Sequence, residues 1–371
     1  MKKILFCIPN LKYGGAEKVL VNLVNHMNKN LFDVTVLSLF DVGVNIKYLN
    51  KNVKYKYVFK HLFRGNIHFF KLFTPKQLYN KYIKDKYDIV VSYLEGPTAR
   101  IVSGCPFKET KLVSWIHIEQ LSRKNAAVAF RSIQESEKCY DKFDKTICVS
   151  EGVKDDFIKI FPNTKEPIVL YNTNESELIR KKAKEKIEEE VFNKYNGIRL
   201  CGVAKITKHK GFMMLAHIHK RLLEKGYDHK FYILGIGNDR ERIEKYLIEN
   251  NLTSSFFFLG YKENPYKYLA KSDIFVCASK AEGFSTAATE SLIVGTPVVT
   301  TLVAGMKEML GENNEYGIIT ENNEESLEQG IEKLLSDKEL LNHYKKQARI
   351  RGEFFTTDST VKAVEDMLMK L

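Results

Sequence analysis

The sequence has no apolar run long enough to span a bilayer; its longest stretches, such as Ile89–Ser92 and Val298–Val303, are strand-sized. A helical membrane span is therefore excluded. Cysteine is sparse and dispersed: Cys7, Cys105, Cys139, Cys148, Cys201 and Cys277 make no C-x-x-C pair and keep no zinc-ligand spacing with histidine. Their apolar settings fit free thiols in a reducing cytoplasm, with no structural metal. There is no fixed-period repeat, no low-complexity tract and no nucleic-acid-binding motif. The segment Lys51–Lys86 nearly lacks acid, with Asp85 alone against ten basic residues.

What is present describes a globular chain. Its 371 residues, 44% hydrophobic and 28% charged, suffice for two domains of ordinary size. The opening MKKILFCIPN stops its apolar run at Pro9 and reads as a first buried strand rather than a signal peptide. The formal charge of +12 is uneven: residues 1–178 hold 28 Lys+Arg against 18 Asp+Glu, the remainder 30 against 28. In Lys51–Lys86 the lysines interleave with Phe59, Phe63, Phe69, Phe70, Phe73 and Tyr79. Such a mixture suits an anionic membrane surface, and equally a solvated basic face.

Strand-like and helix-like patterns alternate along the chain. Ile4–Ile8, Val34–Leu39, Ile89–Ser92, Leu112–Ile116, Thr146–Val149 and Ile168–Tyr171 read as buried parallel strands, with a helix over Ala16–Met27. Glu175–Asn196 reads as a charged helix. A second series runs Ile198–Ala204, Phe231–Leu234, Phe256–Leu259, Ile274–Cys277, Pro297–Thr301 and Gly317–Thr320. Two such series predict two doubly wound α/β domains, with ligands outside the carboxyl ends of the strands.

Three segments at those ends carry chemistry. Gly14-Gly15-Ala16-Glu17 joins the first strand to the first helix, where amides of a helix N-terminus can meet an anion. Lys205 and Lys210, in Ala204-Lys205-Ile206-Thr207-Lys208-His209-Lys210-Gly211, leave the first strand of the second domain and can neutralise a diphosphate. Glu282-Gly283-Phe284-Ser285-Thr286-Ala287-Ala288-Thr289-Glu290 opens a helix whose amides around Phe284–Thr286 can point at phosphate oxygens. Glu290 can accept from ribose hydroxyls, and Glu282 can reach a donor sugar.

Together these segments resemble the retaining glycosyltransferase family 4, whose GT-B fold places two Rossmann-like domains facing across a cleft. Glu282 and Glu290 match that family's E-x7-E motif, and Gly14-Gly15-Ala16-Glu17 its N-terminal glycine loop. Leu234-Gly235-Ile236-Gly237, Leu259-Gly260-Tyr261, Asp273 and Gly305-Met306-Lys307-Glu308 follow in the family's order. The resemblance implies domains over 1–172 and 173–353, with a terminal helix 354–371 returning to the first. It implies that Glu282 holds donor-sugar hydroxyls, Glu290 the ribose, Lys205 and Lys210 the diphosphate together with Gly283, Phe284, Ser285 and Thr286, and that Gly15 closes from the other domain. His117, in Ser114-Trp115-Ile116-His117, corresponds to a histidine near the donor sugar, so that His117, Lys210 and Glu282 form the catalytic set. The chain departs from the family in having Ala204-Lys205-Ile206 where G-R-L is usual; lysine keeps the charge and loses the bidentate fork.

The implied function is a metal-independent, retaining transferase of the hexosyltransferase type. It would move a sugar from an NDP-sugar, foremost a UDP-sugar, to a glycan or lipid-linked acceptor in bacterial surface polysaccharide synthesis. It would work in the cytoplasm or peripherally on the inner membrane face, through residues 51–86, without nucleic acid and without a cofactor. The absence of a D-x-D motif agrees with metal independence. Two other readings are a nucleotide-sugar epimerase on the same fold and a non-catalytic basic binder of membranes or polyanions.

Overall fold

Short β-branched runs bury both faces when they lie between layers of helices, and that is how this chain uses them. The computed structural model describes residues 1–371, which divide into two units: Met1–Asn174 with Thr357–Leu371, and Glu175–Thr356. In the first unit, β1 (Lys2–Ile8), β2 (Phe32–Phe40), β3 (Lys54–Phe59), β4 (Ile89–Ser92), β5 (Lys111–Ile116), β6 (Lys145–Cys148) and β7 (Ile168–Val169) form one sheet in the order β3-β2-β1-β4-β5-β6-β7. Every pairing is parallel. The terminal helix Thr357–Met369 packs on this unit: Lys2 Nζ donates to the carbonyls of Leu368 and Met369 at 3.0 and 3.2 Å, and Asn28 N donates to Glu365 Oε1.

The second unit repeats the plan with six strands. They are β8 (Ile198–Val203), β9 (His229–Leu234), β10 (Phe256–Gly260), β11 (Ile274–Cys277), β12 (Val298–Thr301) and β13 (Ile318–Thr320), in the order β10-β9-β8-β11-β12-β13, again all parallel. Leu200, Phe231, Ile233, Ile274, Val276 and Val299 from the sheet meet Leu215, Ile218, Leu222, Leu327 and Ile331 from the helices in one core. In each sheet the winding direction reverses once, between β1 and β4 and between β8 and β11. A crevice opens at such a switch point, beyond the carboxyl ends of the two strands.

Three expectations need correction. Glu175–Asn196 is not one helix but two, Ser176–Ala183 and Glu190–Asn193. Tertiary partners capture the chain between them: Asn264 Nδ2 donates to Glu185 Oε2, Lys267 Nζ to Lys186 O, and Ile187 is buried. The Glu189 carboxylate is fixed by Lys262 and Tyr268; against the opposing effect of burial, those bonds bring its pKa down to about 2. Second, Ile168–Tyr171 pairs only over Ile168–Val169. Third, the basic segment contains β3, an edge strand reading Lys-Tyr-Lys-Tyr-Val-Phe; edge strands carry lysine for protection against edge-to-edge pairing.

The aromatic residues of that segment are largely spent on packing. Phe59, Phe63, Phe69 and Phe70 form an edge-to-face cluster with Phe40 and Tyr82, and Phe70 and Tyr79 are fully buried. Arg100, wholly buried, ties the segment down: it donates to the carbonyls of Phe70 and Phe73 at 2.7 Å and makes a forked pair with Glu135. Arg131 holds the carbonyls of Lys71 and Leu72 in the same way. The large aliphatic side chains left exposed in this segment are Leu62 and Leu72.

Candidate active site

Both switch points hold the residues singled out in the sequence. In the second unit, the loop after β8 carries Lys205 and Lys210, and the loop after β11 carries Ser279 to Ser285. The two loops are bound to each other. Lys280 N donates to His209 O at 2.8 Å, and Gly211, at φ +70°, lies so close to β11 that an added Cβ would sit 2.0 Å from Ala278 O. The left-handed backbone and the close approach together require glycine there.

This contact brings Lys210 and Glu282, 72 residues apart in sequence, to 2.6 Å between Nζ and Oε1. The same oxygen accepts from Ser279 Oγ at 2.6 Å and lies 4.0 Å from Cys277 Sγ. Burial and the Glu282 charge raise the Cys277 thiol pKa, so it remains an uncharged neighbour. Glu282 Oε2 has no partner. The helix Thr286–Val294 follows, capped by Ser285, whose hydroxyl accepts from Ala288 N. Helix geometry leaves the Thr286 and Ala287 amides without intrahelical acceptors, pointing out of the N-terminus. Gly283, Phe284 and Ser285 are buried in the turn before it.

Glu290 lies on that helix and is only 3% exposed; Glu282 has 14% of its side chain exposed. Neither is an ordinary surface acid. Lys205 is exposed and makes no ion pair, whereas Lys210 is joined to Glu282. Chemically, an ammonium and two open amides stand beside a carboxylate with one open oxygen. The set can hold an anion next to a neutral hydroxyl donor.

In the first unit, Gly14 caps the helix Gly15–His26 in extended conformation (φ −159°), so glycine is not needed there for backbone freedom. It leaves room for Glu17, which folds back beside it: a Cβ at position 14 would lie 1.9 Å from Glu17 Oε2. Gly15 is exposed at the start of the helix. His117, just past β5, packs tilted against Tyr93 at 4.8 Å and stacks with Trp115 at 6.1 Å between ring centroids. Burial pushes its pKa down to about 3, so the imidazole is neutral at physiological pH; its Nε2 is sealed and unpaired.

The sequence reading missed Glu95. It follows β4 at the first unit's switch point, and its Oε2 accepts the His117 backbone N–H at 3.0 Å. Burial raises its pKa, the His117 bond opposes this, and Glu17 adds to the rise. The available signal was Glu95-Gly96-Pro97, an acid at the carboxyl end of a fully buried strand. Ser279 was missed too; its signal is Ser279-x-x-Glu282 directly after β11. Asp156 also escaped notice: its carboxylate accepts from Gln120 N and Leu121 N, holding the loop after His117 with Leu121 at φ +62°. No three His, Cys, Asp or Glu side chains converge as a metal site.

Comparison with known proteins agrees with this layout. The family described as "Glycosyltransferase Family 4" matches residues 13–173, and "Glycosyl transferases group 1" matches residues 183–351. A Campylobacter jejuni relative, named N-acetylgalactosamine-N,N'-diacetylbacillosaminyl-diphospho-undecaprenol 4-alpha-N-acetylgalactosaminyltransferase, is 34% identical over 235 residues, which span 62% of this chain and 61% of that protein. An Escherichia coli relative, the O-antigen biosynthesis glycosyltransferase WclY, is 26% identical over 46% of each chain. Among solved structures, Anabaena HepE in complex with UDP and glucose superposes with a TM-score of 0.79 at 17% identity, over the full length of both chains. The two family matches fall one on each parallel-sheet unit, the second unit matching the group 1 glycosyltransferases, and this chain is a transferase enzyme with the α/β GT-B fold.

Proposed function

We propose that the chain is a retaining glycosyltransferase that moves a sugar from a UDP-sugar to a glycan or lipid-linked acceptor, in bacterial surface-glycan synthesis. The observation that carries the reading is the Lys210–Glu282 contact at the start of the helix Thr286–Val294. Lys210, the Thr286 and Ala287 amides and the exposed charge of Lys205 would bind the diphosphate and stabilise it as it leaves, in place of a metal ion. Open Oε2 of Glu282 would accept from the donor sugar's hydroxyls, and Glu290 from the ribose. The relative bound to UDP supports the choice of nucleotide, and the relatives named for a diphospho-undecaprenol substrate and for O-antigen support the acceptor class.

In the first domain, neutral His117 would contact the donor sugar by hydrogen bonding through Nδ1, the ring nitrogen that is not sealed, rather than by charge, with Gly15 approaching the diphosphate. Retention of configuration is proposed through a front-face route, in which the leaving phosphate takes the acceptor proton; no side chain is assigned as a covalent nucleophile. The basic face of residues 51–86, with Leu62 and Leu72 exposed among lysines, would rest on an anionic membrane surface. A nucleotide-sugar panel tests the reading: a UDP-sugar should raise the melting temperature and be slowly hydrolysed in EDTA without acceptor. Conversion of the donor into a new sugar isomer would instead identify an epimerase. Absence of binding by any nucleotide sugar would refute the proposal.

A further inference from the structure

The three contacts on Glu282 fall on one oxygen, and this asymmetry carries a role for a residue outside the family-derived set. Lys210 Nζ and Ser279 Oγ both approach Oε1 at 2.6 Å, and Cys277 Sγ stands behind them. Oε2 is left open. The two donors differ in kind. An ammonium on a flexible four-carbon stem attracts a carboxylate without fixing its rotation, and it has three N–H groups to share. A serine hydroxyl has one hydrogen on a short side chain, so its bond sets direction.

Ser279 itself is pinned through its backbone. It is buried at 2% exposure, its carbonyl accepts from Thr301 Oγ1 at 2.6 Å, and the next residue's amide is held by His209 O. Its Oγ therefore occupies a fixed point relative to β11 and β12. We infer that Ser279 is a positioning residue for transfer: its hydroxyl fixes the Glu282 carboxylate so that Oε2 alone meets the donor sugar, and leaves Lys210 free to turn toward the diphosphate. The inference rests on the donor-site reading above and deepens it, since it says which carboxylate oxygen reads the sugar and what holds it. Without the hydroxyl, the carboxylate pivots about Lys210, and a hydroxyl of the sugar meets either oxygen or neither. Misplacement of a positioning group on the scale of an ångström costs transfer rate rather than nucleotide affinity.

The test uses the full chain and the UDP-sugar that it hydrolyses fastest in a panel. Ser279→Ala should lower kcat/KM about 10- to 100-fold. Its Kd for UDP, which lacks the sugar, should stay within about twofold of wild type, and its melting temperature should be unchanged. Ser279→Thr keeps the hydroxyl and should retain at least roughly a third of the activity. Wild-type kcat/KM in Ser279→Ala overturns the inference. So does a loss matched by equal loss of UDP affinity and thermal stability, which would mark a merely structural serine, and so does a Ser279→Thr variant as impaired as Ser279→Ala. Glu282→Gln, measured alongside, separates the two levels. If it is fully active, the donor-site reading fails and takes the inference with it. If it is inactive while Ser279→Ala is normal, the positioning role alone fails.

Discussion

Substituting alanine at Gly211 perturbs the joint on which the site depends. At φ +70° an L side chain is strained by about 1–2 kcal/mol. An ideal Cβ would also lie 2.0 Å from Ala278 O, where real Cβ atoms keep beyond 3.0 Å, so the two loops must separate by roughly 1 Å. Overpacking of this kind adds about 1–3 kcal/mol. For a domain of this size each kcal/mol lowers the melting temperature by about 2–4 °C. Because the same joint sets the Lys210–Glu282 distance, activity should fall about 100-fold. Gly226 supplies the control: φ is +90°, and a Cβ added there would meet nothing within 4 Å. Gly226→Ala should therefore show only the conformational strain, about 1–2 kcal/mol, with full transfer activity. Differential scanning fluorimetry and a donor-hydrolysis assay on the two variants decide the matter. Equal melting temperatures and equal activities would refute the argument that the close approach at Gly211 builds the site.

Three further outcomes follow from the buried polar groups. His219 Nδ1 and His229 Nε2 share a hydrogen bond of 2.9 Å in the core, and burial holds their pKa values at about 3 and about 4. Unfolded imidazoles bind protons below pH 6.5 that the native pair refuses, so stability is full above that pH and falls as pH drops, by about 2 kcal/mol per imidazole at pH 5. Urea midpoints that stay flat from pH 7.5 to 5 would contradict this. The low pKa of His117, about 3, predicts that the activity lost in His117→Ala is the same from pH 6 to pH 8; an imidazole step in the wild-type rate that vanishes in the variant would contradict it. Arg100→Met takes the guanidinium from the Phe70 and Phe73 carbonyls and from Glu135, which keeps only the Arg131 N–H, and should cost about 3–5 kcal/mol in thermal or urea unfolding; a loss below roughly 1 kcal/mol would show that the anchor is dispensable.

Strand positions were legible wherever a buried β-branched run stood alone, as in Ile89–Ser92 and Ile274–Cys277, because a strand covered on both faces must be apolar throughout. β3 was not legible: Lys54, Lys56 and Tyr57 are exposed on an edge strand and mimic a surface loop. The overlong helix at Glu175–Asn196 had the right local pattern, and only the distant Asn264, Lys267 and Lys262 interrupt it. At the site, Lys210, Glu282 and Glu290 were named from their places after strands. Their grouping came from the family resemblance and not from spacing, since Lys210 meets Glu282 through Gly211 and Ala278, a contact between loops far apart in sequence. Glu95 and Ser279 offered only the short signals Glu95-Gly96-Pro97 and Ser279-x-x-Glu282 and owe their significance to the atoms they face.

In the proposed reaction Lys210 and Glu282 grip different halves of one donor molecule. Titration calorimetry with UDP, joined to transfer assays with the UDP-sugar, reads the two halves separately in Lys210→Ala and Glu282→Ala. Lys210→Ala should bind UDP at least about tenfold more weakly and lose transfer; Glu282→Ala should bind UDP as wild type does and also lose transfer. Full transfer activity in both variants would contradict the assignment of the site.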